Sequence, residues 1–345
     1  MNGVPPARVL VRAPNWLGDV AMALPALASI RRHFAGSQLT LALPEGLAAL
    51  GTRLPGVDHV VGLRTGGGLA TLRENVSRLR AGGHQVAILL TNSLGSALAA
   101  RWAGIPERWG YRGNFRGWLL TRAVTRPRGR VHQTDYYRRL VAALGVTNSE
   151  RVPRLEVPAA VVEGARGMLA AAGWTPGTRL LGVAPGAAYG GAKRWPPERF
   201  AAVAADLART HGLVPVLVGS EADRAAACAI EAELGKIGSA GPRPGVIGLA
   251  GQTDVPQLAG VLSLCAAFVS NDSGAMHLAA AVGAPVVALF GPTDERVTAP
   301  VAPGARVLTA EAWCRPCLLR ECPLDHRCMN GIDARTVAVA AGELL

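Results

Sequence analysis

The chain has 345 residues, half of them apolar, and a net charge of +12. That length exceeds one ordinary core and suits two domains of about 150 residues each. No run of about 20 apolar residues is free of charged or turn residues, which argues against a transmembrane helix. Met1 to Pro6 lack the basic-then-apolar pattern of a signal peptide, so a cytoplasmic protein is expected. The charge is lopsided: residues 1–150 hold 19 arginines and no lysine against seven carboxylates, whereas 151–345 hold 17 of each sign. An excess confined to one half suggests that this half meets an anionic partner.

In chain order, short apolar runs alternate with helix-like stretches. Residues 8–12 read as a strand, 21–34 as a helix, and 38–43, 59–63 and 85–90 as strands, with a helix over 94–102. A charged, turn-rich stretch over 108–130 interrupts the pattern, and a helix follows over 135–144. Residues 152–158 carry two prolines and read as a linker. The alternation then resumes with strands at 180–184, 214–218, 246–249, 266–270 and 285–290, and helices at 197–210, 223–234, 255–264 and 274–282. Two α/β domains with doubly wound, mostly parallel sheets are expected, 1–158 and 159–330, with a final helix in 331–345. Ligands of such sheets bind beyond the carboxyl ends of the strands, here in a cleft between the domains.

Several strand-to-helix turns carry chemistry. Asp272-Ser273-Gly274 lies between a strand and a helix. A helix starting there offers unpaired N–H groups and a positive dipole end to a phosphate or diphosphate, although a plain helix cap has the same look. The loop 185–196 is rich in glycine and alanine and ends in Lys193-Arg194, which suits closure on a diphosphate. Only one other lysine, Lys236, occurs in the chain. The loop is not a Walker A motif, and no Gly-x-Gly-x-x-Gly opens the first helix, which argues against a dinucleotide dehydrogenase. Asp19 follows the first strand at the start of the first helix. It is a candidate general base, or simply a carboxylate at a helix N-terminus. Glu221 follows another strand and can accept ribose hydroxyls, while Asp223 reads as a helix cap. Arg112 and Arg116 occupy a glycine-containing loop in the basic half and are expected to bind anionic groups. Cys314, Cys317, Cys322 and Cys328 fall within 15 residues. A structural zinc is one reading, but the spacing matches no well-known zinc pattern and free thiols are favoured. A nucleic-acid-binding role for the basic half lacks both a recognised motif and an aromatic platform.

Taken together, the motifs 12–19 (RAPNWLGD), 111–116 (YRGNFR), 185–196 (PGAAYGGAKRWP), 271–277 (NDSGAMH) and 289–293 (LFGPT) resemble the ADP-heptose:lipopolysaccharide heptosyltransferases of glycosyltransferase family 9. The second and third resemble its type II members. The resemblance implies a GT-B fold of two Rossmann-like domains facing a central cleft, with the N-terminal domain binding the acceptor and the C-terminal domain the donor. The last helix is implied to cross back onto the first domain. The implied reaction is inverting transfer of heptose from ADP-L-glycero-β-D-manno-heptose to the lipopolysaccharide inner core, as its second heptose. A family relative with another nucleotide sugar and glycan acceptor is the alternative. Carried over by motif, Asp19 is the general base, Lys193, Ser273 and Gly274 hold the diphosphate, and Asp272 meets the donor sugar. Glu221 meets the ribose, and His277 occupies a family donor position. No Asp-x-Asp motif is present, so no metal or other cofactor is required to explain the site. The implied partners are an ADP-sugar, an anionic lipopolysaccharide core, and the inner face of the cytoplasmic membrane as a peripheral surface. A basic acceptor domain suits that surface. No nucleic acid is expected.

Overall fold

A computed structural model describes residues 5–147, 150–237 and 245–345. The chain divides into two compact units, Met1–Glu156 and Val157–Leu345, close to the expected linker boundary. The first contains β1 (Arg8–Arg12), α1 (Leu17–His33), β2 (Gln38–Pro44), α2 (Ala48–Gly51), β3 (His59–Leu63), α3 (Leu69–Arg80) and β4 (Val86–Leu89). It continues with α4 (Leu94–Trp102), β5 (Glu107–Tyr111), β6 (Arg122–Val124) and α5 (Gln133–Ala143). The second contains α6 (Ala159–Ala171), β7 (Leu180–Ala184), α7 (Pro197–His211), β8 (Val214–Leu217), α8 (Arg224–Ile237), β9 (Ile247–Gly248) and α9 (Val255–Ser263). β10 (Cys265–Asn271), α10 (Gly274–Ala281), β11 (Val286–Phe290), α11 (Glu295–Thr298), β12 (Arg306–Thr309), α12 (Arg327–Asn330) and α13 (Ala334–Gly342) complete it.

Each unit is built on a six-stranded sheet in which every pairing is parallel. The strand orders are β3-β2-β1-β4-β5-β6 and β12-β11-β10-β7-β8-β9. Counted from the first strand of each unit, both are the 3-2-1-4-5-6 order of a Rossmann sheet, and the chain reverses direction between its first and fourth strands. Those switch points lie between β1 and β4, and between β7 and β10. The central strands β4, β7 and β11 are buried throughout, as parallel strands covered on both faces should be.

Three expectations need correction. The helix expected over 21–34 begins at Leu17, so Asp19 lies inside its first turn. Eleven of its residues are buried, and that burial outweighs both the missing side-chain cap and the interior Pro25. The stretch 108–130 contains two strands, β5 and β6. Its arginines break the apolar alternation, although Trp109 and Tyr111 are buried. Finally, α13, expected on the first unit, packs in the core of the second. Val337, Ala338, Ala340 and Ala341 lie in the core of the second unit with Phe200, Val203 and Leu207. This alanine-rich face lets α13 approach α7 closely. Among the described residues no helix is long and apolar enough to cross a membrane.

Candidate active site

In the second unit the site grows from the switch point. β7 ends at Ala184 and releases the loop 185–195, and β10 ends at Asn271. The buried Asn271 amide ties both ends of that loop. Its Nδ2 donates to Pro185 O at 2.7 Å, and its Oδ1 accepts from Trp195 N at 3.2 Å. Trp195 is itself buried, stacked edge-on against Phe200, with its indole N–H donating to Ile332 O. The loop therefore enters and leaves at fixed points. Between them Gly191–Lys193 forms a single 3-10 turn that delivers Lys193.

Lys193 Nζ donates to Asp272 Oδ2 at 2.6 Å, and Thr293 Oγ1 donates to the same oxygen at 2.7 Å. All three side chains are largely or fully buried. Asp272 Oδ1 has no hydrogen-bond partner among the described residues, so it remains an acceptor for a ligand hydroxyl. The ammonium also lies 4.8 Å from the centroid of the Tyr189 ring, a cation–π arrangement that Arg320 shares at 5.4 Å.

Directly after Asp272, Ser273 caps α10: its Oγ accepts from Met276 N at 3.3 Å. Ser270 Oγ donates to Asn271 O, and it lies 3.0 Å from Ser273 Oγ. With the Ser270 proton so placed, Ser273 is the donor in that pair. Its hydroxyl is thus committed within the protein, and a phosphate here meets the backbone N–H groups opening α10. His277 is buried within the same helix.

Glu221 stands at the carboxyl end of β8, exposed, and pairs with Arg224 at 2.7 Å. Its carboxylate lies over Gly251, where an added Cβ would fall 2.4 Å from Glu221 Oε2. Asp223 is structural. It completes a capping box with Ser220 and fills the space beside Gly186, where a Cβ would fall 2.2 Å from its carboxylate.

The cysteine-rich segment supports the lysine loop from outside. Tyr189 Oη donates to Leu318 O, Gly191 N to Glu321 Oε1, and Ala192 N to Arg320 O. Cys314, Cys317 and Cys322 are half-buried and Cys328 is buried, all with free thiols. Burial, then the neighbouring Cys314 and Cys317, raises the Cys328 pKa. Among the described residues no group of three or more His, Cys, Asp or Glu side chains is arranged to hold a metal.

In the first unit the first turn of α1, which follows β1, carries Asp19. Tyr137 Oη donates to Asp19 Oδ1 at 3.3 Å. Burial, and then the Asp19 charge, raises the Tyr137 pKa well above the usual phenol value, which keeps it a donor. A cavity of about 470 Å³ opens at the same end of the sheet, lined by Arg12, Asn15, Arg64, Gly66, Gly67 and Ser93 among others. Arg12 is fastened to Ala13 O and to Asn15 Oδ1, and burial lowers its pKa to about 10.

The two loop arginines part company. Arg112 is exposed. Arg116 is 0 % exposed, so its expected role in meeting a ligand is corrected. Its guanidinium donates to Tyr111 O at 3.0 and 2.9 Å and to Thr91 O at 2.6 Å. Backbone carbonyls left over at the strand ends take the place of an anion, and burial lowers the Arg116 pKa to about 10. Sequence reasoning also missed Asn271, Thr293, Tyr137, Arg12 and Arg64. Asn271 and Arg12 open motifs already in view and Thr293 closes one, but none was given a role there, and Tyr137 and Arg64 carry no local signal.

Paired Rossmann-type sheets, each with polar side chains gathered at its switch point, define the GT-B class of glycosyltransferases. The family model described as glycosyltransferase family 9 (heptosyltransferase) matches residues 73–327. The chain is 32% identical to lipopolysaccharide heptosyltransferase 2 of Salmonella typhimurium, over 87% of each protein. The structure of Escherichia coli ADP-heptose lps heptosyltransferase II superposes with a TM-score of 0.80 at 27% identity, covering 98% of each chain. A family 9 glycosyl transferase from Veillonella parvula gives 0.82 at 25% identity, covering 98% of this chain and 97% of its own. The chain belongs to glycosyltransferase family 9, the heptosyltransferases, and is an enzyme of GT-B fold.

Proposed function

We propose that the enzyme transfers heptose from ADP-L-glycero-β-D-manno-heptose to the lipopolysaccharide inner core, as the second heptose, with inversion at the anomeric carbon. The observation that carries this reading is the Lys193–Asp272–Thr293 cluster beside the start of α10, at the switch point of the second unit. Lys193 and the N–H groups after Ser273 and at Gly274 bind the donor diphosphate. Asp272 accepts a hydroxyl of the donor sugar, and Glu221 accepts the ribose hydroxyls. His277 supports the donor end of α10.

Asp19 takes the proton of the acceptor hydroxyl. The freed oxygen bonds to the anomeric carbon as the bond from that carbon to the diphosphate breaks. ADP leaves with the electron pair, its developing charge met by Lys193. Arg112 meets anionic groups of the acceptor, and Arg12 and Arg64 at the cavity of the first unit replace Arg116 in that role. No metal is needed for any of these steps, because the side chains named supply the base and the counter-charge. The enzyme works in the cytoplasm as a peripheral protein on the inner membrane, without nucleic acid.

The test is transfer by the purified protein from ADP-heptose or from a UDP-sugar to inner-core lipopolysaccharide carrying a single heptose. Release of ADP and a mass gain of one heptose are expected. Turnover with the UDP-sugar while ADP-heptose stays inert would replace this reading by another family 9 transferase.

A further inference from the structure

The loop after β5 is built to expose two aromatic rings. Phe115 is 93 % exposed and Trp118 77 % exposed, while Arg116 between them is 0 % exposed. Gly113, Asn114 and Phe115 all have positive φ, at 137°, 50° and 55°. Left-handed backbone is unfavourable for a bulky residue such as Phe115 and persists only where the surroundings impose it. Here the Arg116 guanidinium imposes it through Tyr111 O and Thr91 O, and Asn114 Nδ2 adds a bond to Asn92 O. The exposure is therefore a product of a rigid turn. Trp118 Nε1 donates to Phe115 O at 2.9 Å, so the indole needs no water for its N–H and its ring can leave water freely.

The charge around these rings selects the partner. Residues 108–130 contain seven arginines and no carboxylate. Arg112 is exposed with no acidic partner among the described residues. Arg126 is packed beneath Gly113, with its Nε and Nη2 lacking any hydrogen-bond partner among those residues. Aromatic tips on a stretch of net positive charge match the interfacial zone of an anionic bilayer, where rings enter the acyl boundary and the basic surface faces the phosphates.

We propose that the turn 112–118 is a membrane-docking element whose Phe115 and Trp118 enter the interface of an anionic bilayer. The proposal rests on the membrane-borne acceptor argued above and adds the surface by which the enzyme reaches it.

The test compares the full-length protein with the Phe115→Ser/Trp118→Ser variant. Partition is measured into sedimentable vesicles of phosphatidylcholine alone and of phosphatidylcholine mixed with phosphatidylglycerol. The wild type is expected on the anionic vesicles, weakened by salt. The variant should lose about tenfold per ring, or about a hundredfold together. Both rings are exposed, so ADP affinity should be unchanged, which verifies folding. Turnover of a delipidated, water-soluble acceptor should also be unchanged. Equal vesicle binding by variant and wild type overturns the proposal, as does a wild type that ignores anionic vesicles. A fall in kcat/KM on the soluble acceptor would assign the rings to sugar recognition instead. Loss of a wild-type dimer in the variant would assign them to a second copy of the chain. Vesicle binding that depends on the rings in a protein inert toward ADP-heptose would leave the docking surface standing and refute the proposed function.

Discussion

Replacing Lys193 by methionine separates the two roles that its position gives it. The ammonium neutralises Asp272 at 2.6 Å, with the two side chains 11 % and 6 % exposed. Lys193→Met leaves that carboxylate buried with Thr293 as its remaining donor. Removing one member of a buried pair costs about 3–5 kcal/mol, and the partial exposure of Lys193 and the surviving Thr293 bond place this site near or just below the lower end, at about 2–3 kcal/mol. For a unit of this size that lowers Tm by about 5–10 °C. Independently, loss of a charge-assisted bond to the diphosphate removes about 1.5–3 kcal/mol of ADP affinity, or about 10- to 150-fold in Kd. Asp272→Asn supplies the control, because it frees the ammonium and should preserve or tighten ADP binding while weakening ADP-heptose. Thermal unfolding and calorimetric titration of ADP measure the two effects separately. If Lys193→Met lowers Tm but leaves the ADP Kd within twofold, Lys193 is only the structural partner of Asp272, and the diphosphate binds elsewhere.

Asp19→Asn should keep ADP affinity and lose about 10²–10⁴-fold in transfer rate, read as ADP release with acceptor present; a loss of only a few-fold would remove Asp19 as the base. Arg116→Leu should destabilise the first unit by about 3 kcal/mol, by orphaning Tyr111 O and Thr91 O, without changing ADP affinity; denaturant unfolding checks this, and a stable variant with a raised acceptor KM would restore Arg116 as a ligand residue. His84 is buried, burial lowers its pKa, and its Nδ1 has no hydrogen-bond partner among the described residues. The unfolded chain therefore binds the extra proton first, so stability should fall as pH drops below the ordinary histidine value of about 6.5 and be unaffected above it. His84→Gln should flatten that fall in urea unfolding curves at a series of pH values, and an unchanged slope would refute the assignment.

The alternation of strands and helices was legible in the sequence because it is local. Apolar runs such as Val9-Leu10-Val11 and Val286 to Phe290, each closed by a turn and alternating with helix-like stretches, point to the strands of a parallel sheet. The same locality made Asp19, Lys193 and Asp272 visible, since each lies in a strand-to-helix connection or the first helical turn after it, and a parallel sheet gathers those connections at one edge. The charge asymmetry was equally a matter of counting. What the tertiary structure decided was direction and partnership. Arg112 and Arg116 look alike in sequence, yet one points to solvent and the other is drawn inward by carbonyls of residues 91 and 111. Two strands were hidden by their arginines, because pairing with β4 supplies β5 with a stabilisation that no local pattern records. α13 packs on α7 through its alanine face, a complementarity between residues more than a hundred positions apart. Asn271, which joins Pro185 to Trp195 across intervals of 86 and 76 residues, was likewise unreadable. Sequence patterns report the period of a side chain along its own element, and only the folded chain brings its distant partner within hydrogen-bond reach.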